Sequence, residues 1–311
     1  MNLPLLYVVI PCFNEQECLK KTTRKVSQKL KSLISKKKID PKSTIVYVDD
    51  GSKDNTWKII STTKNVIGIK LSHNCGHQNA LLAGLMYAKD HCDIAISMDA
   101  DLQDDINAFD KMLRYFSLGC EIVYGVRDNR KSDSFFKRNT ASLFYKAMNH
   151  LGVELIYNSA DFRLMSKKAL DSLSKFKETN LFLRGIVPLL GYKTATVSYT
   201  RSKRIAGQSK YPLSKMLRLA TDGITSFSIR PIRLIFSLGL FAFCISLLFV
   251  AYAIFQKVAN NAVPGWAFIV CSIWFLGGLQ MLAIGLIGEY VGKIYFETKL
   301  RPRYIIEEIK Q

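Results

Sequence analysis

Two long uncharged segments near the C-terminus constrain the fold of this chain more than any other feature. Residues 234–255 and 266–288 form runs of 22 and 23 residues without a charged side chain. At about 1.5 Å per residue, each helix would measure roughly 33 Å, enough to cross a hydrocarbon core of about 30 Å. Buried helices of soluble proteins rarely reach this length without a polar face. The short linker 256–265 makes the pair a predicted transmembrane hairpin.

Basic residues surround this hairpin and are nearly absent from its loop. The 311-residue chain has 44 Lys and Arg against 25 Asp and Glu, a net charge of +19. The loop carries only Lys257, whereas nine basic residues flank the hairpin (Lys215, Arg218, Arg230 and Arg233 before it; Lys293, Lys299, Arg301, Arg303 and Lys310 after it). By the positive-inside rule, we expect both termini and the N-terminal domain to be cytoplasmic. The placement favours an anionic membrane surface as a partner over nucleic acid.

The cysteines and the N-terminus agree with this placement. The seven cysteines are odd in number, include no C-x-x-C pair, and place Cys244 and Cys271 inside the uncharged segments. Such a set indicates free thiols rather than a disulfide framework or a zinc ribbon. The apolar run 5–10 is too short for a signal peptide and is followed by Pro11. The sequence therefore predicts an integral protein of the inner (cytoplasmic) membrane with two spans.

Residues 1–200 alternate short apolar runs with amphipathic stretches. The pattern predicts strands at 5–10, 44–48, 66–71, 94–98 and 121–126, and helices at 16–33, 55–62, 78–89, 105–117 and 135–151. Strands separated by helix-length crossovers indicate an α/β domain with a mostly parallel sheet covered on both faces. Ligands of such sheets bind beyond the carboxyl ends of the strands.

Polar residues follow four of the predicted strands, at 11–15, 49–52, 99–103 and 125–127. Carboxylates on neighbouring strand ends repel one another unless a cation or a donor-rich ligand lies among them. The sequence contains no G-x-G-x-x-G fingerprint and no P-loop. A bound nucleotide would therefore be held in another way.

The D-x-D motif of Asp99 and Asp101, directly after an apolar strand, is the sharpest local signal of chemistry. Alternate residues at a strand end can present two carboxylates to one hard cation, and Gln103 can add a carbonyl oxygen. Mg²⁺ or Mn²⁺ suits such ligands and bridges nucleotide phosphates. The alternative is structural, with Asp104 or Asp105 capping the following helix.

Taken in order, these motifs resemble those of the family 2 glycosyltransferases, which have the GT-A fold. The matching segments are Val-Ile-Pro-Cys-Phe-Asn-Glu at 9–15, Val-Asp-Asp-Gly-Ser-Lys-Asp-Asn-Thr at 48–56 and Met-Asp-Ala-Asp-Leu-Gln at 98–103. Segments 125–127, 159–164 and 204–210, together with the hairpin, resemble the polyprenyl-phosphate branch of this family. That branch includes the bactoprenyl glucosyltransferases and dolichol-phosphate mannose synthase. The resemblance implies a Rossmann-like GT-A catalytic domain followed by a two-helix transmembrane hairpin.

The resemblance also implies donor, metal and phosphate sites. The donor nucleotide would contact seven residues (Pro11, Phe13, Glu15, Tyr47, Asp49, Asp99 and Ala100). The metal, Mg²⁺ or Mn²⁺, would bind at three positions (Asp99, Asp101 and Gln103). Arg127, Arg204 and Lys210 would bind phosphate, since Arg gives bidentate contacts and Lys a point charge. For Arg204 and Lys210, a solvated basic loop around the turn 207–209 is the alternative.

Asp161 looks like the catalytic base of this branch, but the chemistry gives a reason for reservation. The second pKa of a phosphate monoester is about 6, so the acceptor is largely dianionic near pH 7 and needs little help from a base. Asp161 could instead orient the donor sugar, stabilise positive character at the anomeric carbon, or pair with Arg163. His73 and His77 are four residues apart, a spacing that would suit two metal ligands on a helix. Because the segment 74–76 between them resembles a turn, we interpret both histidines as polar loop residues beside the nucleotide.

The resemblance implies a membrane-bound inverting glycosyltransferase that moves one sugar, glucose from UDP-glucose, onto undecaprenyl (polyprenyl) phosphate at the cytoplasmic face. Alternatives are the same reaction with N-acetylglucosamine, galactose or mannose, and a non-catalytic membrane-anchored nucleotide-sugar sensor or scaffold. We expect a catalytic domain over 1–205, an acceptor loop and interfacial helix over 206–232, the hairpin over 233–290 and a basic tail over 291–311. A homo-oligomer, a tetramer by resemblance, is also expected.

Overall fold

The structure of the chain is a computed structural model that describes residues 3–128, 158–179, 181–200 and 265–311, with residue 156 and scattered positions between 232 and 255. Its strands are β1 Leu6–Cys12, β2 Thr44–Asp49, β3 Val66–Leu71, β4 Ile94–Ser97, β5 Ile122–Arg127, β6 Ser159–Ser166, β7 Thr194–Tyr199 and β8 Ile306–Lys310. Its helices are α1 Gln16–Ser35, α2 Thr56–Thr62, α3 His77–His91, α4 Ala108–Ser117, α5 Lys167–Leu173, α6 Leu183–Leu189 and α7 Trp266–Thr298. The predicted strands and helices up to residue 127 are confirmed, with ends that differ by a few residues.

The strands form one sheet in the order β7-β5-β6-β4-β1-β2-β3-β8. β1 lies parallel to β2 and β4, β2 to β3, and β5 to β7. β6 runs antiparallel between β4 and β5, and β8 runs antiparallel along β3. The predicted mostly parallel sheet is confirmed. The sequence pattern does not indicate β6, β7 or β8.

Helices cover both faces of the sheet because its central strands are apolar on both sides. Six of the seven residues of β1, Leu-Tyr-Val-Val-Ile-Pro-Cys, are buried, as is typical of strands covered on both faces. One core cluster contains buried side chains of α1, α2 and α4, and the other contains those of α3, α5 and α6. α1 illustrates the pattern, since from Leu19 onward its buried residues recur every three or four positions, with Cys18 adjacent on the same face (Cys18, Leu19, Thr22, Val26, Leu30 and Leu33).

α3 packs on the centre of the sheet at a distance that requires a glycine. A Cβ atom on Gly84 would lie 2.4 Å from Cγ1 of Val9 and 2.7 Å from Cγ2 of Val48. Both valines are fully buried on the neighbouring strands β1 and β2. The first residue of this helix, His77, lies at the carboxyl edge of the sheet beside Asp99.

The C-terminal helix α7 is continuous over 33 residues. Its segment Phe275–Thr298 is long and apolar enough to cross a membrane and is not buried within the protein. Beyond it the chain returns to the sheet as β8, where Glu307 forms an ion pair with Lys70 of β3 at 2.9 Å. The segment 291–311, expected as a basic tail, therefore consists of the last turns of α7 and an edge strand.

Several predicted features lie wholly or partly outside the described residues. The described positions of the first predicted span, 234–255, are all helical. Among the described residues, α7 is the one helix long and apolar enough to span a membrane. The structure does not describe the helix predicted at 135–151, nor Arg204 and Lys210. Of the acceptor loop and interfacial helix predicted at 206–232, it describes residue 232 alone.

We expect Gly84→Ala to destabilise the catalytic domain, although alanine is the better helix former. The substitution gains about 1 kcal/mol of helix propensity. The new methyl group overlaps two valine side chains that the sheet holds in place, however, and overpacking costs about 1–3 kcal/mol. Thermal unfolding followed by circular dichroism should give a lower midpoint than the wild type. A raised midpoint would show that α3 can move away from the sheet.

Candidate active site

Hydrogen bonds join the loops that follow β1 and β2. The amide of Asn14 donates to Oγ of Ser52 at 2.9 Å, and Oδ1 of Asn14 accepts from the amide of Lys53 at 2.9 Å. The amide of Glu15 donates to Oγ1 of Thr56 at 2.9 Å. These contacts hold the first two motifs side by side at the carboxyl edge of the sheet.

Polar groups of β2 and an aromatic ring after β1 form the side predicted to receive the nucleotide. Asp49 is fully buried, neither carboxylate oxygen makes a hydrogen bond of normal geometry, and burial raises its pKa. The hydroxyl and amide of Ser52 oppose this rise in pKa. The buried hydroxyl of Tyr47 lies 2.8 Å from Oγ1 of Thr23. Phe13 is 37% exposed, so its ring is accessible to a flat ligand.

Asp50 holds the loop that precedes α3. Its Oδ1 accepts from the amide of Cys75 at 2.7 Å, and its Oδ2 accepts from the amide of Gly76 at 3.0 Å. Gly51 permits this approach, since its φ is +65° and a Cβ atom there would lie 2.7 Å from the backbone of the loop. Because α3 begins at the next residue, Asp50 determines where His77 lies.

The D-x-D motif lies in a turn that acidic side chains stabilise. Oδ1 of Asp101 accepts from the amide of Gln103 at 3.1 Å. Oδ2 of Asp104 accepts from the amide of Asp99 at 3.3 Å. Asp104 therefore supports the motif itself rather than the following helix.

The helix cap predicted for Asp104 or Asp105 is not formed, since α4 begins after Asn107 without a side-chain hydrogen bond at its cap. The carboxylate of Asp105 binds just before the helix instead. Its Oδ1 accepts from the amide of Asn107 at 2.9 Å, directly before α4. On the other side of the turn, the Thr22 hydroxyl donates to the carbonyl of Ala100 at 2.6 Å. α1 thus holds the turn, and Asp105 holds the segment between the turn and α4.

Asp104 also connects the motif to Arg127. The Tyr199 hydroxyl donates to Oδ1 of Asp104 at 2.6 Å, and Nε of Arg127 donates to the Tyr199 oxygen at 3.3 Å. Burial raises the pKa of Asp104 to about 6, and the charge of Asp99 adds to the effect. Arg127, at the end of β5, is therefore held at the same edge as the D-x-D motif.

Asp161 faces the D-x-D motif because β6 runs antiparallel to β4. Ser97 pairs with Arg163 in this register, so continuing it by two residues brings Asp99 opposite Asp161. Asp161 is 6% exposed, and two arginines bind its carboxylate. Nη2 of Arg163 donates to Oδ1 at 2.6 Å, and Nη2 of Arg184 donates to Oδ2 at 2.9 Å. The ion pair with Arg163 that the sequence offered as an alternative is present, together with a second pair.

His77 lies between the two facing carboxylates. Its Nε2 is 3.6 Å from Oδ1 of Asp99 and 3.7 Å from Oδ2 of Asp161. His73 lies elsewhere, with Nδ1 3.0 Å from the Ser72 hydroxyl. No group of three or more His, Cys, Asp or Glu residues suited to a metal occurs in the part of the chain that the structure describes.

The surroundings shift the pKa values of the two facing carboxylates in opposite directions. Burial raises the pKa of Asp99, and the charges of Asp161 and Asp101 add to this against the opposing effect of His77. Burial alone would also raise the pKa of Asp161, but Arg184 and Arg163 hold it well below the usual range of an aspartate. Asp161 is therefore a poor proton acceptor, whereas a nearby cation would relieve the repulsion at Asp99.

The D-x-D carboxylates suit a divalent cation that takes its other ligands from the substrate. The side chain of Asp99 is 38% exposed and is therefore accessible. Mg²⁺ is commonly bound through one or two carboxylates, with phosphates and waters at the remaining positions. Asp99 and Asp101 therefore fit such an ion without a third protein ligand.

The structure brings most of the predicted site residues to one edge of the sheet. Ten of them lie at or just beyond the ends of β1, β2, β4 and β5 (Pro11, Phe13, Glu15, Tyr47, Asp49, Asp99, Ala100, Asp101, Gln103 and Arg127). Asp161 joins them from β6. Their roles in binding and catalysis stay predictions.

Asp50, Asp104 and Arg184 have no predicted site role, yet they belong to this cluster. His77, predicted as a polar loop residue beside the nucleotide, joins them as the first residue of α3. The signal for His77 was its place at the start of a predicted helix after β3. The segment Phe182-Leu183-Arg184 has no motif or spacing that marks the arginine.

Two sequence families match this chain. Glycosyl transferase family 2 matches residues 7–174, and the GtrB C-terminal hairpin matches residues 230–294. The glycosyltransferase YkoT of Bacillus subtilis (strain 168) is 53% identical over 309 residues, covering 98% of this chain and 91% of that protein. The bactoprenol glucosyl transferase of Shigella phage SfV is 39% identical over 313 residues, covering 98% of each. A prophage bactoprenol glucosyl transferase homolog of Escherichia coli (strain K12) is 38% identical, covering 98% of this chain and 99% of that protein.

The mostly parallel sheet and its carboxylate-rich edge define a glycosyltransferase with the GT-A fold, joined to a C-terminal hairpin that indicates membrane association. The chain belongs to glycosyl transferase family 2.

We expect Asp50→Asn to loosen the loop before α3. An amide group has one acceptor oxygen, so one of the two bound amides is left without its partner, at about 1–3 kcal/mol. Hydrogen–deuterium exchange of residues 72–78 should accelerate. Asp105→Asn is the matched control, since Asp105 binds one backbone amide, that of Asn107, through a single oxygen. Unchanged exchange in both variants would contradict the role of Asp50.

Proposed function

We propose that this glycosyltransferase moves a single hexose, glucose from UDP-glucose, onto the phosphate of a polyprenyl lipid such as undecaprenyl phosphate. The transfer takes place at the cytoplasmic face of the membrane and inverts the anomeric carbon. Two relatives that carry the name bactoprenol glucosyl transferase, at 38% and 39% identity over nearly the whole chain, support the acceptor and the sugar.

The observation that carries this proposal is the contact between α7 and the catalytic domain. Both carboxylate oxygens of Glu297, in the last turns of α7, accept the amide of Thr179 at 2.8 Å. A few residues further, Arg184 of α6 binds Asp161. The end of a helix apolar enough to span a membrane thus contacts the segment that leads to Arg184 and its partner Asp161, which suits an acceptor dissolved in the bilayer.

The donor side of the proposal rests on the groups at the ends of β1, β2 and β4. The buried carboxylate of Asp49 can accept the N3–H of uracil, and the exposed ring of Phe13 offers a stacking surface. Asp99 and Asp101 would hold Mg²⁺ or Mn²⁺, which stabilises the charge of a departing diphosphate. Arg127 would add a bidentate phosphate contact.

The acceptor phosphate attacks without a strong base. Its oxygen forms a bond to the anomeric carbon while the bond from that carbon to the UDP oxygen breaks, and UDP leaves with the electron pair. A dianionic phosphate, whose second pKa is about 6, has no proton to lose. Asp161, held ionised by Arg184 and Arg163, is suited to orient groups in the site rather than to accept a proton.

The pairing of β8 with β3 supports two spans with both termini on one side. Strands of one sheet lie on the same side of a membrane, so the chain between residues 71 and 306 crosses it an even number of times. α7 supplies one crossing, and the uncharged segment 234–255 is the candidate for the other. The basic flanks assign that side to the cytoplasm.

The full-length chain in detergent, given undecaprenyl phosphate, Mg²⁺ and a panel of labelled nucleotide sugars, should form organic-extractable label from UDP-glucose. UDP-N-acetylglucosamine, UDP-galactose and GDP-mannose complete the panel. Label from another donor would show that the transferred sugar is not glucose, while supporting transfer to the lipid phosphate. No lipid-linked label from any donor, with UDP binding intact, would favour a sensor or scaffold.

Asp99→Asn and Asp101→Asn should each lower kcat by about 10²-fold or more, since groups that stabilise a leaving group typically contribute 10²–10³. Chelation should abolish activity, and Mg²⁺ or Mn²⁺ should restore it. Asp105→Asn is the matched control. Activity that survives both the chelator and the two substitutions would argue against a metal at this motif.

A cysteine in the hairpin loop should react with a membrane-impermeant maleimide in intact cells. Asn260→Cys tests the loop, and Ser117→Cys, at an exposed position in α4, tests the catalytic domain. We expect labelling of the first in intact cells, above the background of the natural cysteines, and of the second only after lysis. The reverse pattern would invert the orientation.

A further inference from the structure

Two arginines bind one carboxylate in the candidate active site, and they differ in exposure. Arg163 is 2% exposed, and its Nη1 also donates to the carbonyl of Leu183 at 3.3 Å. The side chain of Arg184 is 35% exposed and contacts Asp161 through Nη2 at 2.9 Å and Nε at 3.4 Å. Arg163 neutralises Asp161 inside the fold, whereas Arg184 lies at the accessible surface of the cluster.

The position of Arg184 favours contact with an anion. Asp161 binds the Nε and Nη2 edge of the guanidinium and thereby fixes its plane. The like charges of Arg184 and Arg127, which lies at the end of β5, oppose each other. An anion that contacts both guanidinium groups would offset this repulsion.

α6 is held from two sides, which gives Arg184 a defined place. The amide of Leu183 donates to Oε1 of Gln78, the second residue of α3, at 2.8 Å. Thr179, before the helix, is bound by Glu297 of α7. The arginine is therefore fixed relative to both the sheet edge and the apolar helix.

We propose that Arg184 is a phosphate-binding catalytic residue and that Asp161 is the positioning residue that presents it. The inference rests on the proposed transfer between two phosphate-bearing substrates. Arg184 binds phosphate oxygens of the donor diphosphate or of the acceptor lipid, with the same guanidinium chemistry in both cases. As the anomeric carbon exchanges its bond to UDP for a bond to the acceptor oxygen, Arg184 transfers no proton and contributes only charge and orientation.

Kinetics of the full-length chain in detergent, with UDP-glucose (or whichever donor the panel identifies) and undecaprenyl phosphate, test the role of Arg184. Arg184→Ala should lower kcat/KM by about 10²–10³-fold. Arg184→Lys, which keeps the charge and loses the planar fork, should recover part of this loss. Arg114→Ala, at an exposed arginine of α4, is the matched control and should retain wild-type activity. Thermal midpoints within a few degrees of the wild type separate these effects from misfolding.

Binding measurements distinguish the two sources of phosphate. Weaker binding of UDP to Arg184→Ala, with unchanged binding of undecaprenyl phosphate, assigns the arginine to the donor. The opposite result assigns it to the acceptor. Both measurements are independent of turnover, so they judge Arg184 even if the wild type makes no lipid-linked sugar, an outcome that counts against the proposed function alone.

A double-mutant cycle tests the positioning role of Asp161. If Asp161 acts through Arg184, the combined variant Asp161→Asn with Arg184→Ala should be no less active than the weaker of the two single variants. Losses that multiply would show that Asp161 acts independently and would overturn the positioning role. Wild-type kcat/KM together with wild-type binding of both phosphate ligands in Arg184→Ala would overturn the whole inference.

Discussion

The ion pairs of Asp161 with Arg163 and Arg184 hold together parts of the chain that come from different layers of the fold. Because β6 is antiparallel to β4, its register brings one carboxylate opposite another at the edge where the site forms. Two facing carboxylates in a partly buried place repel each other, and the guanidinium groups offset that repulsion. The same residues tie α6 to β6, because Arg163 also donates to the carbonyl of Leu183. The site and the position of α6 therefore depend on one set of charges.

Much of the catalytic domain follows from local sequence. The apolar runs and helical periodicity up to residue 127 identify five strands and four helices, because each pattern reports burial of a single element. The D-x-D motif and the acidic end of β2 are likewise local. β8 is different, since its sequence, Ile-Glu-Glu-Ile-Lys, is short and polar, and only its partner β3 makes it a strand. The direction of β6 also depends on its neighbours rather than on its own residues.

The site could be predicted only where its residues lie within a motif. Asp49 and Asp50 are adjacent in sequence, yet one carboxylate is buried without a normal hydrogen bond while the other binds two backbone amides. Successive side chains along an extended chain point to opposite sides, so the two carboxylates meet different surroundings. The residue type, which is the same at both positions, does not predict this difference. Arg184 reaches Asp161 from a separate helix, and tertiary packing alone brings the two together.

The place of β8 at the edge of the sheet has a consequence for biosynthesis. Residues 306–310 follow both hairpin segments in the chain, so they leave the ribosome after those segments. Until then β3 presents an unpaired edge, which is a template for pairing with another chain. The sheet can therefore be completed only after the hairpin has been synthesised. A truncated protein that ends before the hairpin keeps that edge open, so its solubility and not only its membrane attachment would suffer.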